Sequence, residues 1–406
     1  MKIENLPKEF TDALPVMRKI EEAGYEAYFV GGSVRDVLLN HPIHDVDIAT
    51  SAFPAEIKAL FARTIDIGIE HGTVLVLQDS GQYEITTFRT ESTYQDYRRP
   101  DTVEFVRSLA EDLKRRDFTI NAFALQENGQ IIDLFGGLAD LDKQSLRAVG
   151  AASERFNEDA LRMMRGLRFV SQLGFRFEEQ TFQAICANSF LLGKISVERI
   201  YVEFTKLLLG KKRNQAIELF VQTKCFNFCP ALKDQQSGLL AFARLPEYQL
   251  SDEAQAWSLL CDQINLSDHE VRRFLKAWKA SNELILNTRE ILWGLRQRRN
   301  HQWRPMELYR LGVTRALKAE ELLIYFNQEG DCDALTRQVN DLPIHQLPDL
   351  AINGHHLLQH FHRKPGKWLK EVLAACEEAV VTQAIPNQVD AVLAYAKVWL
   401  QKAEGQ

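Results

Sequence analysis

The chain has 406 residues, 46% of them hydrophobic and 26% charged, with a formal net charge of −6. That length suits two to four packed units rather than one core, and the composition is ordinary for a soluble globular protein. The negative balance excludes a uniformly basic nucleic-acid binder, so any such surface must be a local basic stripe.

Ala27-Tyr28-Phe29-Val30 predicts a strand, and Gly31-Gly32-Ser33-Val34-Arg35-Asp36-Val37-Leu38-Leu39 predicts a turn that opens a helix. A glycine turn at a helix start offers backbone N–H groups to a phosphate. The same glycines also serve merely to relieve a tight turn. Ser33 and Asp36, three apart, fit a capping box. His44-Asp45-Val46-Asp47-Ile48-Ala49-Thr50 predicts a second short strand, with Asp45 and Asp47 on one face and Val46 and Ile48 on the other. Two carboxylates so close repel unless a cation lies between them. An Asp-x-Asp pair by itself is commonly a solvated turn. In the order strand, Gly-Gly, helix with Arg35, then Asp-x-Asp, the set points to a divalent metal beside a nucleoside triphosphate.

Strands are predicted at Thr73–Leu77 and Tyr83–Phe88. Glu84 within the latter has two readings. It faces water on an edge strand, or it is a third carboxylate that orients or deprotonates an incoming hydroxyl. Arg89 to Phe105 reads as a polar surface loop. In Leu113-Lys114-Arg115-Arg116-Asp117-Phe118-Thr119-Ile120-Asn121-Ala122, a basic triplet precedes an apolar helix start. It grips phosphate or ribose, or it is a solvated turn whose Asp117 caps the helix.

Arg155 to Phe169 predicts a helix with Leu161, Met164, Leu167 and Phe169 as a buried stripe, on which Asp159 and Arg162 are neighbours. Such a pair is often a surface salt bridge of little worth. Cytosine and adenine, however, both present an exocyclic amine donor beside a ring-nitrogen acceptor. A carboxylate beside a guanidinium matches that pattern and clashes with uracil and guanine. Arg165 and Arg168 continue along the helix, but on ideal geometry Arg168 turns well away from Asp159, which leaves it a phosphate-binding or supporting role.

Beyond roughly residue 150 the β signal fades, and Leu146–Ala152 marks the boundary. Ile200, Phe204, Leu207 and Leu208 form an apolar helical stripe that stops at Gly210. Ser267-Asp268-His269-Glu270 is a capping box before Val271, Phe274, Leu275 and Trp278. Basic clusters at Lys211-Lys212-Arg213, Arg296 to Arg304, and Arg363-Lys364 with Lys367 are either nucleic-acid contacts or solvated helix faces. The six cysteines lack CxxC spacing, and Cys225 and Cys229 have no histidine nearby, which argues against zinc and for reduced thiols in the cytosol. MKIENLPKEF has no apolar signal core, and no run is long enough to span a bilayer. The expected class is α+β: a small α/β head, then an all-helical remainder.

The motifs GGSVRD with DVD, RRDFTINA, EDALRMMRGLRF and KISVERIYVEF, in this order from Gly31 to about Gly210, resemble the class II tRNA nucleotidyltransferases, the bacterial CCA-adding enzymes of the polymerase-β-like superfamily. The later helices match loosely, with Pro365-Gly366-Lys367-Trp368 resembling the family's tail. The resemblance implies a polymerase-β-like head with a mixed sheet at 1–147, then a helical neck at 148–210, body at 211–265 and tail at 266–406. It implies Mg2+ on Asp45 and Asp47, with Glu84 as the third acidic residue. Gly32 and Arg35 would contact the triphosphate, Arg116 the incoming nucleotide, and Asp159 and Arg162 the base, with Arg165 and Arg168 lining the same pocket. It implies a cytoplasmic enzyme with no membrane partner, and it admits a homodimer. The reaction implied is stepwise addition of C, C and A to tRNA from CTP and ATP, untemplated by nucleic acid, and repair of damaged CCA ends. The 89–105 loop is the feature that, in the family, separates full CCA addition from addition of the two C residues alone. A bacterial poly(A) polymerase and a catalytically silent RNA-binding relative remain as alternatives.

Overall fold

A computed structural model describes residues 1–91 and 103–404. The middle of the 89–105 loop therefore lies outside the described residues. Tertiary packing divides the chain into two compact units, Met1–Gln249 and Leu250–Gln406.

The first unit opens with α1 (Lys8–Glu22), β1 (Ala27–Val30), α2 (Gly32–Leu38), β2 (Asp47–Thr50) and α3 (Pro54–Leu60). Then come β3 (Thr64–Gly68), β4 (Thr73–Gln78), β5 (Gly81–Thr87) and a ribbon of β6 (Arg89–Glu91) and β7 (Val103–Phe105). After α4 (Leu109–Lys114), strands β8 (Phe123–Leu125) and β9 (Ile131–Asp133) complete a seven-stranded sheet of order β3-β4-β5-β2-β1-β8-β9. The sheet is mixed, because β2 runs parallel to β5 while the other pairings within it are antiparallel.

Register sets which side chains reach the site. Phe29 pairs with Ile48, and Ile48 with Ile85; all three are fully buried on the face toward α1, where Phe10 and Phe29 pack with ring centroids 4.7 Å apart. The alternate positions, Val30, Asp47 and Glu84, therefore point to the opposite face. Gly31 leaves β1 at φ 76°, ψ −141°, a backbone setting that a side chain opposes, and α2 begins at the next residue.

The remaining helices of this unit are α5 (Gly137–Asp142), α6 (Ala152–Glu158), α7 (Leu161–Leu173), α8 (Glu179–Asn188), α9 (Val197–Leu208), α10 (Arg213–Gln222) and α11 (Gln236–Ala243). Beyond residue 150 the described strand content is Arg176–Phe177 alone, a two-residue pair with Ser145–Leu146. Leu161, Met164, Leu167 and Phe169 are buried as expected, and so are Ile200, Phe204, Leu207 and Leu208. α7 and α9 pack together at Gly210, where Ser171 Oγ donates to the Leu207 carbonyl at 2.5 Å.

The second unit is helical throughout its described residues: α12 (Glu253–Gln263), α13 (Asp268–Ala277), α14 (Asn282–Asn300), α15 (Pro305–Glu321), α16 (Cys332–Asn340), α17 (Gly354–Phe361), α18 (Lys367–Val381) and α19 (Val389–Glu404). The Ser267–Glu270 capping box forms at the start of α13. No described helix is long and apolar enough to cross a membrane.

Candidate active site

A cavity of about 780 Å³ opens on the polar face of the sheet. Gly31, Gly32, Arg35 and Asp47 line it from β1, α2 and β2, and Glu84 lines it from β5. Arg115, Arg116, Asp117 and Asn121 come from the segment after α4; Asp159, Arg162, Arg165 and Arg168 come from α7 and the residues before it. Among the described residues its walls carry eight arginines against five carboxylates. A chain that is net negative thus focuses positive charge where a polyanion would sit.

Asp47 and Glu84 are register partners on adjacent parallel strands. Burial raises the Asp47 carboxyl to about 6; the Glu84 charge adds to this, Arg116 opposes it, and Asp45 adds a little more. A group so strained by like charge is relieved by a cation. Glu84 is not on an edge strand, since β5 lies between β4 and β2.

Asp45 departs from expectation. β2 begins only at Asp47, because its antiparallel partner β1 ends at Val30 opposite that residue. Asp45 sits exposed in the preceding coil and is not held to the face of Asp47 by strand geometry. No group of three or more His, Cys, Asp or Glu converges as a metal cage among the described residues. A site of one or two carboxylates with the remaining ligands from water and phosphate is what Mg2+ prefers, so the oxygen donors present fit that ion.

Asp36 also departs from expectation. Ser33 donates to the Val30 carbonyl at 3.1 Å and makes no capping box with Asp36. Asp36 instead grips Arg35, at 2.9 and 2.8 Å, and Asn121 Oδ1 takes a third bond from Arg35 at 2.7 Å. Asp117 is no simple helix cap. It accepts from Phe118 N at 2.8 Å and Asn121 Nδ2 at 3.1 Å, and pairs with Arg165 at 2.7 Å. Burial alone would raise its carboxyl; Arg165 and these hydrogen bonds outweigh burial and hold it far below the usual carboxylate range.

Asp159 and Arg162 do not share one helix face. Asp159 lies outside α7, in extended conformation (φ −137°, ψ 102°) at the break after α6. A carboxylate that caps α7 stabilises this break: Asp159 Oδ1 accepts from Leu161 N at 3.0 Å, while Oδ2 meets Arg199 of α9 at 2.6 Å. Arg162, 7% exposed, bonds Glu158 at 2.7 Å and the Arg115 carbonyl at 2.8 Å. The two residues line one cavity but do not pair with each other.

Arg168 shares that cavity, contrary to the ideal-helix expectation. Successive steps of three turn about 60° around a helix, and the cavity wraps α7 far enough to reach Arg162, Arg165 and Arg168 together. The guanidiniums of Arg168, Arg35 and Arg165 lie 4.2, 5.2 and 5.7 Å from the centroid of Phe169. Arg168 Nε is 2.6 Å from Glu203 Oε2, an ion pair not aligned as a hydrogen bond. Burial lowers the Arg168 pKa, and Glu203 opposes it.

Comparison with known proteins matches this arrangement across the whole chain. A protein of Enterococcus faecalis named CCA-adding enzyme is 56% identical over 404 residues, covering 100% of both chains. One of Lactiplantibacillus plantarum with the same name is 50% identical, covering 98% of each. The crystal structure of the Bacillus stearothermophilus CCA-adding enzyme in complex with CTP superposes with a TM-score of 0.92 at 40% identity, covering 98% of this chain and 100% of that one. The chain belongs to the CCA-adding enzyme family. Family models agree in sequence order: the poly A polymerase head domain matches residues 27–147, an RNA- and SrmB-binding site of polymerase A matches 174–236, and tRNA nucleotidyltransferase domain 2 matches 248–396. The head model is common to poly(A) polymerases, so it is the full-length likeness that separates the two activities. The family's mixed head sheet and helical remainder are those described above.

Arg199, Glu203, Asp112 and Glu158 were missed by sequence reasoning. α9 reads as an apolar stripe, and nothing in its pattern tells Arg199 and Glu203 from solvated positions. Within two of the three basic clusters, individual arginines serve the fold, while Lys211 and Lys212 are exposed. Arg213 is 1% exposed and donates to the carbonyls of Tyr248 and Pro246 at 2.7 and 2.8 Å. Arg296 and Arg299 share Asp262, each at 3.0 Å, and Arg298 pairs with buried Glu320 at 3.0 Å. Those guanidiniums brace helices. Lys364 and Lys367 remain exposed.

Proposed function

We propose that this chain adds C, C and A stepwise to the 3′ end of tRNA from CTP and ATP, without a nucleic-acid template, and restores damaged CCA ends in the same way. The observation that carries this reading is one cavity joining Asp47 and Glu84 to Asp159 and Arg162, in a chain alike over its full length to CCA-adding enzymes. The tRNA terminal hydroxyl attacks the α-phosphate of the nucleotide; the new phosphodiester forms as the α–β bond breaks, and pyrophosphate leaves. Asp47, together with Asp45 from the preceding coil, would hold Mg2+, which would supply charge neutralisation at that phosphate. Glu84 orients the attacking hydroxyl and takes up its proton. Gly32 and Arg35 hold the triphosphate, and Arg116 the incoming nucleotide, so that catalysis is chiefly positioning and electrostatics.

Asp159 accepts from the exocyclic amine of cytosine or adenine. A carboxylate has about four lone-pair sites, so it does this while keeping Arg199 and Leu161 N. Arg162 donates to the ring nitrogen, and Arg165 and Arg168 line the sugar and base side. Head, neck, body and tail correspond to 1–147, 148–210, 211–265 and 266–406, a division supported by the head model ending at residue 147. The compartment is the cytoplasm, where the tRNA substrate is.

The test is incubation of the protein with tRNA lacking CCA, with each nucleotide separately and together, followed by sequencing of the product ends. CTP should add two residues, ATP alone none, and both together a complete CCA. A run of A residues with CTP ignored would instead mark a poly(A) polymerase, and no extension a silent relative.

A further inference from the structure

Two carboxylates buried in or behind the cavity wall take no part in that scheme. Glu203 braces Arg165 and Arg168. Asp112 reaches further. It lies in the first turn of the short helix α4 with a side chain 1% exposed, and both of its oxygens are committed. Oδ1 accepts from Arg115 Nε at 3.0 Å and Nη2 at 2.8 Å; Oδ2 accepts from Arg116 Nη2 at 3.1 Å. Burial works against ionisation here, but the Arg116 and Arg115 guanidiniums outweigh it and hold the carboxyl below its ordinary range.

Each arginine then reaches a different part of the cavity. Arg116 Nη1 comes to the glycine turn, where a Cβ on Gly31 would lie 3.6 Å from it and 3.4 Å from Asp47 Oδ2. The main-chain carbonyl of Arg115 receives Arg162 Nη2 at 2.8 Å. One buried carboxylate therefore grips the guanidinium beside the triphosphate turn and also that of Arg115, the residue whose main-chain carbonyl receives the guanidinium at the base. We infer that Asp112 is a positioning residue for nucleotide selection, coupling the placement of Arg116 to that of Arg162. The inference rests on the nucleotidyl-transfer reading above.

A carboxylate serving stability alone would, when altered, lower the melting temperature and leave KM and base preference unchanged. Asp112→Asn keeps the shape but removes the charge, and turns an amide N–H₂ toward a guanidinium. Charge-assisted hydrogen bonds of this kind set the scale. The variant should raise KM for both CTP and ATP about tenfold and cut the preference for CTP over UTP about tenfold, with kcat changed by less than about threefold. Asp112→Glu keeps the charge on a longer arm and should recover part of both losses. A folded Asp112→Asn enzyme with wild-type KM values and wild-type CTP preference overturns the inference. Should that variant not fold, Asp112→Glu decides: its KM for both nucleotides should rise about threefold, and no change overturns the inference equally. Extension of tRNA by the wild-type enzyme runs alongside. If the wild type extends nothing, the functional reading falls and takes this one with it; if it extends normally, only the coupling is at stake.

Discussion

Asp47 concentrates the chemistry of this molecule at one atom group. Burial, and then the charge of its register partner Glu84, raise its carboxyl to about 6, and a cation beside the pair would relieve that cost. Asp47→Asn should lower turnover on the order of 10³-fold, with far-ultraviolet circular dichroism unchanged; substantial retained activity would refute the metal assignment. In the proposed scheme Asp159 carries specificity instead. Asp159→Ala should reduce discrimination against UTP by about 10- to 100-fold, the worth of a bidentate base contact, measured as the ratio of kcat/KM for CTP and UTP. The motif residues were legible because their chemistry is local: Asp47, Arg116, Asp159 and Arg162 all line the cavity. What could not be read was partnership. Asp36 was assigned to a helix cap and in fact holds Arg35, because a short polar side chain has several backbone and side-chain suitors within reach, and only the fold chooses.

At the scale of elements, α7 is bonded both to the segment after α4 and to α9. Gly166 gives it a flat spot: a Cβ there would lie 2.9 Å from Phe118 Cζ and 2.9 Å from Phe177 Cε1. Gly166→Ala should therefore destabilise the fold by about 1–3 kcal/mol through overpacking, seen as a lowered urea midpoint. The segment after α4 is tied to α7 by Asp117 and Arg165. The folded pKa of Asp117 is depressed, so its contribution is fully present above the unfolded carboxyl value and is lost as pH falls through the folded one. Asp117→Asn should cost about 3 kcal/mol at neutral pH, as when one partner of a buried ion pair is removed. The loss should shrink in acid, checked by denaturant unfolding at pH 7 and pH 3. Periodicity placed α7 and α9 correctly, since a buried apolar stripe repeats every turn. It could not find the break at Asp159, where a capping carboxylate competes with helix continuation.

For the molecule as a whole, bulk charge and local charge point in opposite directions. Among its described residues a net −6 chain holds eight arginines around one cavity, so attraction for a nucleotide's phosphates is local. tRNA affinity should fall with salt as the phosphate backbone releases counterions on binding. Replacing both Lys364 and Lys367 with Glu should weaken binding and reduce the slope of log K against log salt by about 1 for each phosphate left without its lysine, measured by filter binding from low to moderate salt. Arg213, buried beneath main-chain carbonyls, should change that slope little.

The amino-acid sequence by itself determined the α+β class, the glycine turn, the acidic and basic motifs and their order, because each depends on residues within a few positions of one another. Only tertiary structure decided that Glu84 stands beside Asp47, that Asp45 precedes the strand rather than sharing it, that Arg168 reaches the same cavity as Asp159, and that Asp112, Arg199 and Glu203 pair with charged residues of its wall. Those relations join positions tens of residues apart. The choice of which strands pair, the break between two helices and the burial of ion pairs set them, and apolar periodicity along the chain does not spell out any of these.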